Sequence, residues 1–487
     1  MFDSLNEIEI ISQRMSSAGI SDDEIEALLS PLKRELNRRV CGLVWEHKNS
    51  SLPPMDSRFP AFIRREEKCI VGGDGIDNVL IEGENVYALM GLQYTHIDDQ
   101  GRGLVDVIYI DPPYNIDASG VSYNDKFERS EWISIMDTRL RLARNVLADD
   151  GVILISIDDK YVSELRMLCS DIFGGDGTTF MIESSVIAGP RRVPAMQGSV
   201  VKTAEYVLAF RKDNDSKIIR NLTYDYIRGF DTHYSKIVMN GSIKDFLKVI
   251  KSETSISDEF KKHNISISLK NLSIMIEISD TVRDWLYSDD IAGNLYRLGE
   301  KENLDQSSCS YPANELFRVN NKWYVKDSKG VIHNVFRYKD RIGKCDDYFS
   351  SYGERQVRGN LWKGFSSDGG NLDKEGGVSF KSGKKPVRLI KQLLWSVGKN
   401  DATVLDFFAG SGTTGQAVLE LNSEDGGNRS FILCTNNEIS ANQKLNFVKS
   451  YGYLEEYKPS SSTTDSTIEK RINKELEKEG TSLQALI

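Results

Sequence analysis

The stretch VDVIYIDPPY, Val105 to Tyr114, combines a short run of β-branched and aromatic residues with two adjacent prolines. The run is too short for a typical helix and is typical of a buried parallel strand, which the prolines end abruptly. In open α/β sheets, ligands bind outside the carboxyl ends of the strands. The strand is therefore predicted to present Asp111, Pro112, Pro113 and Tyr114 to a site.

These four residues suit the binding of an amino group on a flat ring. Because proline has no N–H, Asp111 and the carbonyl of Pro112 form an acceptor-rich edge for a group that donates two hydrogen bonds. Tyr114 offers a face on which a ring can stack. Taken alone, the segment also fits a strand followed by an ordinary turn, with Asp111 as a solvated cap.

A second motif, Ala409 to Gly415 (AGSGTTG), follows the predicted strand 402–408 and opens a predicted helix. It fits the GxGxxG pattern of dinucleotide-binding turns, in which glycine lets the backbone approach a ligand closely. The lysine that a phosphate-binding Walker loop needs is missing, which disfavours an ATPase. A nicotinamide dehydrogenase is disfavoured because its fingerprint opens the sheet, whereas only 75 residues follow Gly412 here.

The other strands of this sheet must therefore come from earlier in the chain, and segments 79–85, 105–111 and 152–158 are the obvious suppliers. The glycine-turn strand is then late in sequence but central in space, with the DPPY strand beside it. A permuted sheet that places an adenosyl-binding glycine turn beside an amino-group acceptor predicts group transfer to an exocyclic amine.

The pattern between the two motifs is that of βαβ units. Helices are predicted over 131–148 and 160–172, a strand over 152–159, and a hairpin-like pair of strands over 180–187 and 204–212. The strand 79–85 lies one crossover before the DPPY strand, so the two are expected to be neighbours or near neighbours. Glu84 is then expected at the same edge as Asp111.

Composition limits the class of protein. Charged residues are 28% and hydrophobic residues 39% of the 487 residues, as in a soluble globular protein of two or three domains. No window has the apolar length of a membrane span, and MFDSLNEIEI lacks a signal-peptide pattern, which predicts a cytoplasmic protein without a membrane partner. The six scattered cysteines form no CxxC pair, so neither a metal site nor a disulfide framework is expected. A net charge of −10 disfavours a generic nucleic-acid coat, although a local basic face remains compatible with it.

Changes in the pattern divide the chain into four parts. Residues 1–65 are predicted as a helical N-terminal extension, 66–212 and 376–458 as a split catalytic domain, and 459–487 as a helical C-terminal tail. Between the halves, 213–375 is predicted as an inserted domain in which basic groups alternate with aromatics, as in Arg337 to Arg341. Such groups can bind a phosphate backbone and stack bases, or form an ordinary solvated surface.

The two motifs in this order resemble the β-class of amino-methylating DNA methyltransferases, in which the catalytic motif precedes the S-adenosylmethionine motif. The sequences of these motifs are most similar to those of the modification subunits of Type III restriction–modification systems. The resemblance extends to Gly83–Asn85, Trp132–Leu142, Ser156–Asp159, Glu205-Tyr206 and Lys385-Pro386. The sequence departs from the family at Glu84 and Ala204, where Asp and His are frequent, and around 380–386. The resemblance implies a permuted Rossmann-like S-adenosylmethionine-dependent methyltransferase sheet of the α/β class, with an inserted target-recognition domain.

The resemblance also implies residue roles. Asp111 and the Pro112 carbonyl accept hydrogen bonds from the target amine, while Tyr114 stacks on the extruded base. Glu84 approaches the adenine ring of the cofactor. Glu438 is the choice for the ribose hydroxyls, with Asn436 or Asn437 as alternatives. The expected cofactor-binding set is Glu84, Asn85, Asp111, Asp406, Phe408, Ala409, Gly410, Ser411, Gly412, Thr413 and Glu438, and no metal is expected.

The implied reaction is methyl transfer from S-adenosylmethionine to adenine N6 in double-stranded DNA, after the base is flipped out of the stack. Cytosine N4 methylation is the same chemistry on a smaller ring and stays an alternative, as does a non-catalytic DNA-binding subunit with the same fold. The resemblance further implies a restriction endonuclease subunit as a partner. A homodimer is a separate expectation, since one recognition domain need not cover a whole site.

Overall fold

The computed structural model of the chain describes residues 14–15, 25, 29, 77–114, 129–213, 216–237, 243–304, 311–370, 372, 375, 384–435 and 482–486. These residues form a large mixed sheet with helices on both faces, and an inserted part with its own core.

The strands of the described residues belong to three sheets. They are β1 (Asp77–Glu82), β2 (Val105–Ile110), β3 (Leu147–Ile157), β4 (Thr178–Glu183), β5 (Ala204–Arg211), β6 (Tyr224–Tyr226), β7 (Lys236–Ile237), β8 (Leu295–Lys301), β9 (Leu316–Val319), β10 (Lys322–Lys326), β11 (Ile332–Arg337), β12 (Ile342–Lys344), β13 (Tyr352–Val357), β14 (Leu361–Trp362), β15 (Thr403–Asp406), β16 (Ser430–Thr435) and β17 (Ser482–Leu486).

Apart from α4, which lies in the exposed connection between β4 and β5, the helices pack on the faces of the large sheet or fill the inserted part. They are α1 (Asn85–Thr95), α2 (Arg129–Val146), α3 (Val162–Phe173), α4 (Arg192–Met196), α5 (Ile243–Ser252), α6 (Thr254–Lys262), α7 (Leu272–Ile278), α8 (Asp280–Tyr287), α9 (Asp289–Ala292), α10 (Val387–Val397) and α11 (Thr413–Asp425). Short 3₁₀ helices lie at Gly189–Arg191, Leu269–Asn271, Tyr338–Asp340 and Phe365–Gly370.

The large sheet has the order β14-β4-β5-β3-β2-β15-β16-β1-β17. Strand β15, which leads into the glycine turn, pairs in parallel with β2, with Val404 opposite Val107 and Leu405 opposite Ile108. The late strand therefore lies in the middle of the sheet beside the DPPY strand, which confirms the permuted α/β fold. The predicted hairpin-like pair is also present, since β4 and β5 pair antiparallel.

Strand β1 is not the neighbour of β2. It pairs with β16, so that β16 and β15 fill the two positions between β1 and β2. A crossover helix can carry the chain past more than one strand position, which makes chain order a weak guide to sheet order. The carboxyl ends of β1 and β2 still lie at one edge, because every strand between them is parallel.

The prediction that the C-terminal tail is helical is wrong for residues 482–486. Residues Ser482–Leu486 form β17, which pairs in parallel with β1 at the edge of the sheet. An open edge presents unpaired backbone N–H and C=O groups, and an extended segment can pair with them whatever its helical pattern. The remainder of the tail, and most of the predicted N-terminal extension, lie outside the described residues.

Two hydrophobic cores lie on the two faces of the large sheet. Helices α1, α2 and α3 cover one face, where they contact Ile108 and Ile110 of β2. Helices α10 and α11 cover the other face, where they contact Val107 and Tyr109. Because successive side chains of a strand point to opposite faces, and both faces are covered, β2 is apolar almost throughout.

The inserted part has a separate core. Helices α5 to α9 pack with β8 and Tyr338, whose ring lies 5.2 Å from that of Phe230 and 5.2 Å from that of Tyr234. Five strands form an antiparallel sheet in the order β7-β8-β11-β10-β9, and β12-β13-β6 form a smaller one.

The chain rejoins the large sheet earlier than the predicted boundary at 376. Strand β14 pairs in parallel with β4, with Leu361 opposite Met181. Trp362 and Phe365 lie in the core under α10. The two-residue strand β14 is too short to show a periodic pattern in the sequence.

Leu140 of α2 is fully buried in the first core, whereas Leu104, immediately before β2, is 47% exposed. We expect Leu140→Ala to lower the free energy of unfolding by about 2–5 kcal/mol, because it removes buried methyl groups and leaves a cavity. The matched change Leu104→Ala should alter it by about 0.5 kcal/mol or less. Urea unfolding followed by circular dichroism measures both. Equal destabilisation by the two changes would contradict the assignment of this core.

Candidate active site

The DPPY segment lies at the carboxyl edge of the sheet, directly after β2 ends at Ile110. Its backbone is held by α2, because the Trp132 Nε1 group donates a hydrogen bond to the Pro113 carbonyl at 2.6 Å. The Trp132 ring is buried against that of Tyr161, with their centroids 4.6 Å apart. Helix packing thus fixes the segment that presents Asp111 and Tyr114.

Four side chains from separate parts of the chain meet at this edge. The Lys385 Nζ atom, just before α10, lies 3.3 Å from Asp111 Oδ1 and donates a hydrogen bond to Glu205 Oε2 at 2.9 Å. The same ammonium lies 4.5 Å from the centroid of the Tyr114 ring. The Tyr114 hydroxyl donates to Glu205 Oε2 at 3.5 Å. We call Asp111, Tyr114, Glu205 and Lys385 the edge cluster.

The Asp111 Oδ1 atom is an acceptor with spare capacity. It is buried, and its contact with Lys385 is an ion pair without the direction of a hydrogen bond. Within the described part of the chain, this oxygen has no hydrogen-bond partner. A buried carboxylate oxygen whose contact with a cation is a poorly directed ion pair can gain from a further donor, so the site favours a ligand that brings an N–H group to it.

Burial and charge act against each other in the edge cluster. Burial raises the pKa of Asp111, and the nearby Glu205 carboxylate adds to this, while the Lys385 ammonium opposes it. The same ammonium lowers the pKa of Glu205. Burial disfavours the charge on Lys385, but the two carboxylates outweigh burial and raise the pKa of Lys385. Lys385 therefore stays charged and limits the rise in the pKa of Asp111.

The glycine turn is fixed by Asp406 at the end of β15. The Asp406 carboxylate accepts hydrogen bonds from the Phe408 N–H at 3.0 Å and from the Thr414 hydroxyl, which closes the loop between strand and helix. Gly410 has φ +50° and Gly412 has φ +78°, a region that favours glycine. Burial raises the pKa of Asp406 to about 7. Asp406 thus stabilises the conformation of the glycine turn through these two hydrogen bonds.

The Gly83-Glu84-Asn85 turn is joined to the glycine-turn strand. The Asn85 Nδ2 group donates to the Phe407 carbonyl at 2.9 Å. Arg139, a largely buried residue of α2, donates to both Asn85 Oδ1 and Glu84 Oε1. Arg139 therefore fixes the positions of both residues that the sequence proposed for the cofactor.

The structure brings most of the predicted site residues to one edge of the sheet. Asp111 to Tyr114 follow β2, Phe408 to Thr413 follow the adjacent β15, and Glu84 and Asn85 follow β1 two strands farther on. The predicted edge position of Glu84 is correct, but its carboxylate is paired with Arg139. Glu438, Asn436 and Asn437 lie outside the described residues.

Sequence reasoning gave no role to Lys385, Glu205 or Arg139. Lys385-Pro386, Glu205-Tyr206 and the segment Trp132–Leu142, which contains Arg139, enter the sequence analysis only as parts of a resemblance. Lys385 is 274 positions from Asp111. The single signal in the sequence is that each is a charged residue beside an apolar element, which does not name a partner.

Among the described residues, no group of three or more His, Cys, Asp and Glu side chains is placed to hold a metal ion. Within the same part of the chain, no helix is long and apolar enough to cross a membrane. Cys169, Cys345 and Cys434 are buried free thiols.

Comparison with known proteins places the chain in a family. A family model described as DNA methylase, of the N6 and N4 methyltransferases, matches residues 105–287 and 302–454, more than half of the chain. The chain belongs to this DNA methylase family. The matched residues include the DPPY segment, the edge cluster and the glycine turn.

Known members of the DNA methylase family differ in length. The probable Type III restriction–modification enzyme HindVI Mod subunit of Haemophilus influenzae is 27% identical over 387 residues, covering 72% of this chain and 48% of the relative. The Type II methyltransferase M.KpnI of Klebsiella pneumoniae is 26% identical, covering 75% of this chain and 82% of the relative. The chain thus spans about half the length of the first relative. A solved putative DNA modification methylase of Thermus thermophilus, complexed with S-adenosyl-L-methionine, is 13% identical, covers 84% of this chain and 100% of that chain, and has a TM-score of 0.34.

The raised pKa of Asp406 predicts that stability depends on pH. Its folded-state pKa, about 7, lies above the ordinary 3.8, so the folded protein binds more protons than the unfolded chain between these values. The free energy of unfolding therefore falls as pH rises through this window, by roughly 4 kcal/mol at most. Asp406→Asn keeps the shape of the side chain and should remove this dependence. Urea unfolding of both proteins from about pH 4.5 to about pH 8 measures the difference. Parallel profiles would show that Asp406 does not titrate in this range.

Proposed function

We propose that the protein is a site-specific DNA methyltransferase that transfers a methyl group from S-adenosylmethionine to adenine N6 in duplex DNA. The observation that carries this proposal is the buried Asp111 Oδ1 atom, whose contact with the Lys385 ammonium at 3.3 Å lacks hydrogen-bond geometry and leaves it able to accept from a ligand. It lies on the strand next to the glycine turn, in a member of the DNA methylase family. An amino-group acceptor beside a nucleotide-binding turn suits methylation of an exocyclic amine.

The residues of the edge fit the proposed cofactor, S-adenosylmethionine. Gly410 and Gly412 have no side chains in the turn at the start of α11, so the backbone there can be approached closely by a ligand. Phe408 lies next to this turn, and Glu84 and Asn85 are held on the same side by Arg139. Phe408, Gly410 and Gly412 would hold the methionine and ribose side, while Glu84 would approach the adenine. When bound, the cofactor supplies a methyl group on a positively charged sulfur.

Asp111 and the Pro112 carbonyl would accept the two N–H bonds of the target amine. These acceptors fix the amine so that its lone pair is directed out of the base plane, and alignment of this kind supplies much of the rate of a group transfer. Tyr114 would stack on the flipped base, offsetting the cost of unstacking it, a few kcal/mol. The DPPY backbone has to keep this geometry, which explains its anchor on Trp132.

Lys385 occupies the contacts that the target amine would make. Its ammonium lies against Asp111 Oδ1 and over the face of Tyr114, while Glu205 accepts a hydrogen bond from it. A base entering the site would displace the ammonium from Asp111 toward Glu205. Before entry, the Lys385 ammonium opposes the rise in the pKa of Asp111 that burial causes, which favours the ionised form with both oxygens as acceptors.

The wider biological setting is also a proposal. The HindVI relative is named as a Mod subunit of a Type III restriction–modification enzyme, and M.KpnI as a Type II methyltransferase. We propose that this chain acts in a restriction–modification system. We further propose that it has an endonuclease partner and that it forms a homodimer. Its proposed substrate, genomic DNA, would place it in the cytoplasm.

The first prediction from this proposal concerns the modified base. We expect expression in a methylation-free bacterial host to place N6-methyladenine at a single sequence motif in the genome, because a site-specific enzyme modifies each copy of its site. Sequencing that distinguishes methyladenine from methylcytosine measures this. N4-methylcytosine would instead identify the alternative base, since the family includes both activities.

The control for that experiment is Asp111→Ala. We expect it to reduce methylation by about 100-fold or more, because it removes a placed acceptor while leaving the glycine turn intact. Binding of S-adenosylmethionine by calorimetry shows whether the cofactor site survives. If the variant methylated as fast as the wild type, the catalytic assignment would be wrong, and a DNA-binding subunit without catalysis would be the better description.

A second prediction concerns Lys385. Lys385→Met removes the charge that lowers the pKa of Asp111, so the acidic limb of the pH–rate profile should move to higher pH. The rate at neutral pH should fall by roughly tenfold to a hundredfold. Lys385→Arg keeps the charge and should restore the position of the limb. An unchanged limb in Lys385→Met, with the rate alone reduced, would mean that Lys385 serves only as a structural contact.

A further inference from the structure

A segment of 20 residues, 184–203, joins β4 to β5 and leaves the sheet at the edge that carries Asp111. We call it the arm. Lys202 near its end forms an ion pair with Asp158, which follows β3 at the same edge. Glu205, two residues beyond the arm, belongs to the edge cluster. The carboxyl-terminal end of the arm is thus tied to the edge of the sheet that carries the candidate active site.

The arm folds on itself. At its base, the N–H groups of Ser184 and Ser185 both donate to the Thr203 carbonyl, at 3.0 and 3.2 Å. Its outer part contains a 3₁₀ turn and the short helix α4, followed by Gly198 with φ +89°. Pro190 and Pro194 restrict the backbone in this part. The arm is therefore an ordered projection.

The arm exposes apolar side chains at high density. Of the 21 large hydrophobic residues exposed in the described part of the chain, five lie in these 20 residues. Their exposed fractions are 51% for Val186, 47% for Ile187, 55% for Val193, 82% for Met196 and 101% for Val200. Clusters of exposed apolar side chains on a folded protein mark sites of interaction.

The charge of the arm is opposite to that of the whole protein. The arm carries Arg191, Arg192 and Lys202 and no acidic residue, in a chain of net charge −10. Arg191 and Arg192 are exposed, and neither has an ion-pair partner among the residues described. Exposed arginines suit phosphate groups, which they can bind through two parallel hydrogen bonds.

We propose that the arm grips duplex DNA beside the flipped base, with Arg191 and Arg192 on backbone phosphates and Met196 and Val193 in the adjacent groove. This inference rests on the proposed function. A base that reaches Asp111 stays attached to its strand, so the neighbouring phosphates must pass the ends of the arm. Apolar side chains flanked by arginines are the combination with which proteins enter a groove. A second copy of the chain fits the location less well, because a protein partner on the arm would obstruct the entry of DNA.

The test compares duplex binding by the full-length wild type and Arg191→Gln/Arg192→Gln. Fluorescence anisotropy is measured with two synthetic, unmethylated duplexes, between about 50 and about 200 mM salt. One duplex has a random sequence, and the other contains the sequence motif that the wild type methylates in the host genome. We expect weaker binding to both duplexes, and a salt dependence whose logarithmic slope is smaller by roughly two. Val193→Ser/Met196→Ser should weaken binding without changing the slope, because it removes no charge.

The matched control is Arg102→Gln/Lys217→Gln, which removes the same charge at the opposite edge of the sheet. Arg102 precedes β2 and Lys217 follows β5, and both are exposed. We expect its affinity and slope to remain close to those of the wild type. An arm variant that behaves like this control would overturn the proposal.

Two further measurements separate the remaining outcomes. Light scattering gives the mass of each variant, and an arm variant that turns a dimer into monomers would assign the arm to a contact between copies and overturn the proposal. Methylation by the wild type tests the function independently of the arm. If the wild type binds duplexes with a slope larger than that of the arm variant by roughly two, but methylates none, the proposed function is refuted and the arm remains a DNA contact.

Discussion

The parallel pairing of β2 with β15 is the constraint on which the structure depends. It joins residues almost 300 positions apart, with Val404 opposite Val107, in the middle of a nine-stranded sheet. The DPPY segment and the glycine turn become neighbours only through this pairing. Contacts of such long separation have a high entropic cost of loop closure, and the site can form only when both halves of the sheet are available.

The edge cluster shows how a cation moderates the cost of burying a carboxylate. Burial raises the pKa of Asp111, and the nearby Glu205 carboxylate raises it further. Lys385 opposes this rise because its ammonium interacts with both carboxylates. The Tyr114 ring supplies a polarisable face against the same ammonium. One cation thus stabilises the charges of the site, and its removal affects every other member.

The sequence predicted the centre of the sheet well because the signals there are local. VDVIYI is an apolar run ended by prolines, and AGSGTTG has glycines at positions with positive φ. The order of β1, the strand β14 and the edge cluster were not predicted, since each depends on contacts between distant segments that leave no periodic pattern. Glu84 illustrates both what the sequence could predict and what it could not. Its edge position followed from its strand, whereas its ion pair with Arg139 needed the packing of α2.

The way in which the inserted part joins the large sheet determines whether another insert could replace it. The chain leaves the large sheet after β5 and returns at β14, and only β4 separates these two strands. With neighbouring strands about 5 Å apart, the two strands lie roughly 10 Å apart across the sheet. Both lie on the same side of β2 and away from β15. A different insert with closely spaced ends could replace residues between these strands without moving the pairing of β2 with β15, so the architecture allows recombination of the insert as a unit.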